Sequence, residues 1–139
     1  MKKSICLQCL FLSLCLLFLL CNNSCSKPEE KRTLESEIEG INKICPYSLG
    51  GIGEITSAEI DNGNLLYNVS VKQGAINLET PDLHKKSMKD MLSNPNKDMK
   101  QMLELLVKEN YGLSYAFTEE GTDKTMKINF TAEEIKELK

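Results

Sequence analysis

The chain has 139 residues, about the size of one domain. Its 41% apolar and 27% charged residues exclude wholesale disorder and a polytopic membrane protein. With a net charge of −3 and no basic cluster it lacks the electrostatic footprint that phosphate backbones require, which argues against nucleic acid as a partner.

At the N-terminus Lys2 and Lys3 precede an apolar run from Ile5 to Cys21 broken only by Gln8, Ser13 and small thiols. This is the pattern of a secretory h-region. As a helix it would be about 25 Å long, short of a ~30 Å hydrocarbon core, so a permanent span is the second choice. The run changes abruptly at Asn22-Asn23-Ser24-Cys25-Ser26-Lys27-Pro28. The segment resembles the signal of bacterial lipoproteins of the Gram-negative type. The resemblance implies cleavage before Cys25, with Cys21 as the alternative acceptor, and attachment of acyl chains that hold the protein to a membrane. It also implies a place in the cell envelope, periplasmic or at the outer membrane. On this reading residues 1–24 are the signal, residues 25–32 the lipidated cysteine and a charged tether, and residues 33–139 a single domain. Removing the signal takes two lysines and no acid, leaving 15 basic and 20 acidic side chains, net −5.

Six cysteines are present, but four fall in the signal and one is the lipid acceptor, so no disulfide framework is expected. Cys45 remains. Leu34, Ile38, Ile41 and Cys45 recur at spacings of 4, 3 and 4, which places them on one face of a helix over 33–45, ended by Pro46. Cys45 is therefore expected to be a thiol buried with that face.

Tyr47 to Gly53 reads as a glycine-rich loop. No strand precedes it and no Lys-Ser or Lys-Thr follows, so it is not a phosphate cradle. Glu54–Ile60 and Leu65–Lys72 flank Asp61-Asn62-Gly63-Asn64, where Asn-Gly supplies the turn of a hairpin. A calcium loop at Asp61 fails, because Leu65 and Lys72 stand where oxygen ligands are needed.

Helical periodicity returns at Asp82–Leu92 and Asn96–Asn110, separated by Ser93-Asn94-Pro95. A second hairpin follows, Leu113–Thr118 and Met126–Phe130, and Thr131-Ala132-Glu133-Glu134 is a capping-box sequence for a last short helix. The expected fold is α+β: two αββ units forming a four-stranded antiparallel sheet with helices on one face. In outline, over residues 33–131, this order resembles PepSY-like and β-lactamase-inhibitor-like modules, which implies action by binding rather than by chemistry.

Catalytic candidates are scarce. His84 is the sole histidine and no Gly-x-Ser-x-Gly sequence occurs, so no hydrolytic triad is expected and the protein reads as a non-enzyme without a cofactor. The pairs Glu119-Glu120 and Glu133-Glu134 read as solvated turn and helix-start acids. Asn68-Val69-Ser70 and Asn129-Phe130-Thr131 match the eukaryotic glycosylation pattern but fall in strands; a secreted glycoprotein is the weaker alternative. Met88, Met91, Met99 and Met102 form two Met-x-x-Met pairs, and with His84 they offer ligands suited to Cu(I). The same residues make the apolar stripe a helix needs to cover a sheet, so core is the preferred reading and copper the alternative function. The strand alternation leaves Asn68, Ser70, Ser114, Thr118, Lys127 and Asn129 on the sheet face away from the helices. That face is the expected interaction surface for a partner in the envelope.

Overall fold

The computed structural model describes residues 32–138; Cys21, Cys25 and the remainder of the expected signal and tether through residue 31 lie outside the described residues. Among the described residues no helix is long and apolar enough to cross a membrane.

Thr33 caps helix α1, Leu34–Ile44, in a reciprocal capping box with Ser36, which satisfies backbone donors that the first turn leaves open. Cys45 closes the helix and joins Pro46 through a cis peptide bond. A two-residue strand β1, Tyr47–Ser48, and a 3₁₀ turn, Gly50–Ile52, lead into β2, Gly53–Asp61. The turn to β3, Asn64–Val71, holds Asn62 at φ 48° and Gly63 at φ 76°, the left-handed pair that a two-residue hairpin requires. Helices α2, Pro81–Leu92, and α3, Lys97–Glu109, follow. Asn110, at φ 60°, ends α3 in the left-handed region, where an amide side chain is tolerated. Gly112 begins β4, Gly112–Glu119. Strand β5, Thr125–Phe130, and α4, Ala132–Lys136, follow, the helix opened by the expected Thr131–Glu134 capping box.

The expected four-stranded antiparallel sheet is corrected to a five-stranded mixed one, in the order β1-β2-β3-β4-β5. Strands β3 and β4 pair in parallel, from Asn64 opposite Gly112 to Val71 opposite Glu119. The two hairpins are joined by the segment 72–111, long enough to carry the chain back along the sheet, and a crossover of this kind delivers a parallel neighbour. The fifth strand is β1, whose two residues pair with Glu54 and Ile55; in sequence it is hidden within the glycine-rich loop.

The core fills one side of this sheet. Val69, Val71, Tyr67, Tyr115, Phe117 and Ile128 point inward and meet Leu34, Ile41, Met88, Met102 and Leu106 from the helices. Helix α1 packs on β2, α2 on β5, α3 on β4, and α4 on β4, β5 and α3. In β2 both Ile55 and Ala58 face inward although they are three residues apart. The odd spacing is absorbed by Thr56, where the pairing with β3 shifts by one residue, a bulge that also increases local twist. Gly112 is required by close approach: a Cβ there would collide with the Asn64 side chain and the Phe130 carbonyl oxygen.

Candidate functional site

Pairing across the sheet sets the open face in rows. Glu59, Leu66, Ser114 and Asn129 form one row; Ser57, Asn68, Ala116 and Lys127 the next; Glu54, Ser70, Thr118 and Thr125 the third. All six residues expected on this face are there, and the register brings them together with partners that the sequence does not announce. Asn68 Nδ2 donates to Ser57 Oγ and Glu59 Oε1, each at 3.0 Å. Ser70 Oγ donates to Glu120 Oε1 at 3.2 Å, and Ser114 Oγ to Asn129 Oδ1 at 2.7 Å. Thr118 and Asn129 are exposed, whereas Ser114 is only 1% exposed, so its hydroxyl belongs to the foundation of the face rather than to its contact surface.

Lys127 Nζ donates to Asp61 Oδ2 at 2.9 Å. Lys127 lies opposite Ala116 on β4, while Asp61 is tied through Asn64 to Gly112, four residues along β4 and three strands away from Lys127. On a flat sheet, at ~3.3 Å per residue and ~4.8 Å per strand, the two Cα atoms would stand about 20 Å apart, well beyond the combined reach of a lysine and an aspartate. The sheet therefore coils so that these corners of the open face approach; Leu66, on a strand between them and opposite Glu59 and Ser114, is only 6% exposed although it lies on the polar side. The lysine holds the Asp61 carboxyl below its usual range, chiefly through their hydrogen bond.

The end of the sheet carries a buried acid that sequence reading placed in a solvated turn. Glu119 sits opposite Val71 on the inward side and is 5% exposed. Its carboxylate accepts from the Gly74 backbone N–H at 3.1 Å and from Thr122 Oγ1 at 2.9 Å. Those two donors, the backbone one foremost, hold its pKa below the ordinary glutamate value against the opposing effect of burial. Glu119 thus ties the loop after β3 to the turn between β4 and β5. The signal available in sequence was its phase: position 119 continues the inward series Leu113, Tyr115, Phe117.

Of the alternative metal ligands, Met88, Met99 and Met102 are buried in the hydrophobic core and Met91 lies at its border. The buried His84 has Nε2 2.6 Å from the Asn77 carbonyl oxygen, which fixes the proton on Nε2, since a carbonyl accepts only; its Nδ1 has no hydrogen-bond partner. Among the described residues no group of three or more His, Cys, Asp or Glu is placed to hold a metal ion. Cys45 is free and half-buried beside the core, and burial raises its thiol pKa.

These features define an α+β domain with a mixed sheet, helices on one face and a polar, hydrogen-bonded face on the other. No family model matches the chain, and no curated protein matches it in sequence. Among solved structures it is similar to the crystal structure of a protein from Pseudomonas aeruginosa titled as a candidate secreted protein, with a TM-score of 0.59 at 18% identity, covering 73% of this chain and 88% of that one. The likeness is one of fold.

Proposed function

We propose that the protein is a lipid-anchored module of the bacterial cell envelope, attached through Cys25, that binds a macromolecular partner on its open sheet face and performs no chemistry. One observation carries the binding reading: a broad face of hydrogen-bonding side chains, Asn68, Thr118, Lys127 and Asn129 among them, stands opposite a filled core. Extended polar faces suit a protein surface better than a small ligand, which favours a concave apolar pocket. The non-enzymatic reading is supported by the burial of the sole histidine and its commitment to the Asn77 carbonyl. The extracytoplasmic location is supported by the apolar N-terminal run with its two lysines and by the secreted description of the structural neighbour.

The test has two parts. Mass spectrometry of the mature N-terminus should show acyl chains on Cys25; an unmodified N-terminus, or lipid on Cys21, refutes that attachment. A photo-crosslinker placed at Thr118 in intact envelopes should capture a defined protein that the same probe at the exposed helix position Glu104 does not. Equal capture from both positions refutes the open face as the binding surface.

A further inference from the structure

The fold begins with a clamp. Arg32, expected to be the last residue of the tether, forks onto the Glu37 carboxylate of α1, with its Nη2 3.0 Å from Oε2 and its Nε paired to Oε1. Its Nη1 donates to Gln101 Oε1 of α3 at 2.6 Å. A planar guanidinium held by a carboxylate and by a second helix fixes where the chain enters the domain. That entry point lies in the helix layer, on the opposite side of the sheet from Asn68, Thr118 and Lys127.

Six residues, Ser26–Lys31, separate Cys25 from the clamp, and the seven Cα-to-Cα steps from Cys25 to Arg32 span at most about 25 Å. A helix layer and a sheet are each roughly 10 Å thick. Turning the open face to the bilayer would require the tether to pass both layers around the edge of the sheet, which uses nearly all of its length and leaves almost none to reach the lipid. We infer that the outer surface of α2 and α3 lies on the membrane and that the open sheet face looks away from it. The inference rests on the anchored reading proposed above.

Charge agrees with this placement. Although the exported chain is net −5, the exposed residues of α2 and α3 include five lysines, Lys86, Lys89, Lys97, Lys100 and Lys108, against three acids. Leu83 on α2 is 60% exposed. Lysines around an exposed leucine suit the headgroup region of a bilayer containing anionic lipid.

The chain contains no tryptophan, so single-tryptophan variants report on location without background. Full-length acylated Leu83→Trp and Thr118→Trp proteins would be reconstituted into vesicles of phosphatidylethanolamine and phosphatidylglycerol bearing brominated acyl chains. Leu83→Trp should lose emission relative to unbrominated vesicles and shift to shorter wavelength, while Thr118→Trp should be unchanged. Quenching of Thr118→Trp, or of neither variant in protein that floats with the vesicles, overturns the orientation and leaves the anchor standing. Failure of the protein to float with the vesicles overturns the anchor, and the orientation with it.

Discussion

The side-chain amide of Asn42 pairs with both backbone groups of Ala58: its Nδ2 donates to the carbonyl oxygen and its Oδ1 accepts from the N–H, each at 2.8 Å. The amide does the work of a strand residue. Strand β1 covers β2 only at Glu54 and Ile55, so beyond it the edge of the sheet would present free backbone groups, the usual template for unwanted strand pairing. Asn42 reaches from α1 and closes the edge where β1 stops.

Asn42→Ala should therefore lower the unfolding free energy by about 1–2 kcal/mol, the net worth of two hydrogen bonds at a partly accessible site. The measurement is urea denaturation. Loss of the edge cap should also raise the tendency to self-associate, read by sedimentation at high concentration. An unchanged midpoint together with unchanged sedimentation would show that the amide is incidental.

Glu119 makes stability depend on pH in a defined direction. Its folded pKa lies below the ordinary glutamate value because the Gly74 N–H and the Thr122 hydroxyl donate to the carboxylate, with help from Lys124. A depressed acid contributes stability that is fully present above the unfolded pKa, near 4.3 for glutamate, and is lost as pH falls through the folded value. Glu119→Gln should be less stable than the parent at pH 7, and the gap should close as pH is lowered below about 4. Urea midpoints across that range decide it; a gap that persists in acid would place the loss in packing instead.

The elements were legible where a few local residues decide the geometry. Thr33 and Pro46 bound α1, Asn62-Gly63 makes the hairpin, and Thr131 with Glu134 opens α4. The parallel pairing of β3 with β4 was not legible, because it depends on where the segment 72–111 returns the chain and not on any residue within the strands. The site divides the same way. Alternation alone placed Asn68, Thr118, Lys127 and Asn129 on one face, but the bond between Lys127 and Asp61 spans 66 residues and follows from the register and coiling of the whole sheet. Burial of Glu119 was missed because the adjacent acid and glycine suggested a solvated turn, whereas the strand carries it one more position inward.

The methionines should behave as core. Met102 is 1% exposed and Met88 3% exposed, so Met102→Ala should cost about 2–5 kcal/mol through the cavity it leaves. Met88→Leu and Met102→Leu conserve volume and should each cost less than about 1.5 kcal/mol. Purified protein, parent and leucine variants alike, should show no difference in copper content by plasma mass spectrometry. Stoichiometric Cu(I) that disappears in the leucine variants would favour the copper function over the binding module.

The open face offers variants that separate contact from support. Asn129 supplies the acceptor for Ser114 Oγ, and Ser114 is buried. Asn129→Ala should therefore cost about 1–3 kcal/mol by stranding a buried hydroxyl, and a loss of binding in that variant would be ambiguous. Thr118 is exposed, and Lys127→Gln keeps much of the aliphatic stem along the line to Asp61 while removing the charge. Exposed ion pairs contribute little to stability, so Thr118→Ala and Lys127→Gln should leave the melting temperature nearly unchanged, whereas Asn68→Ala gives up the bonds to Ser57 and Glu59 and should cost about 1–2 kcal/mol. Each should weaken capture of the partner found by crosslinking at Thr118, and the three together should abolish it. Normal capture by the triple variant, with loss of capture on changing exposed residues of α2 or α3, would place the partner on the helix side and remove the open face from the function.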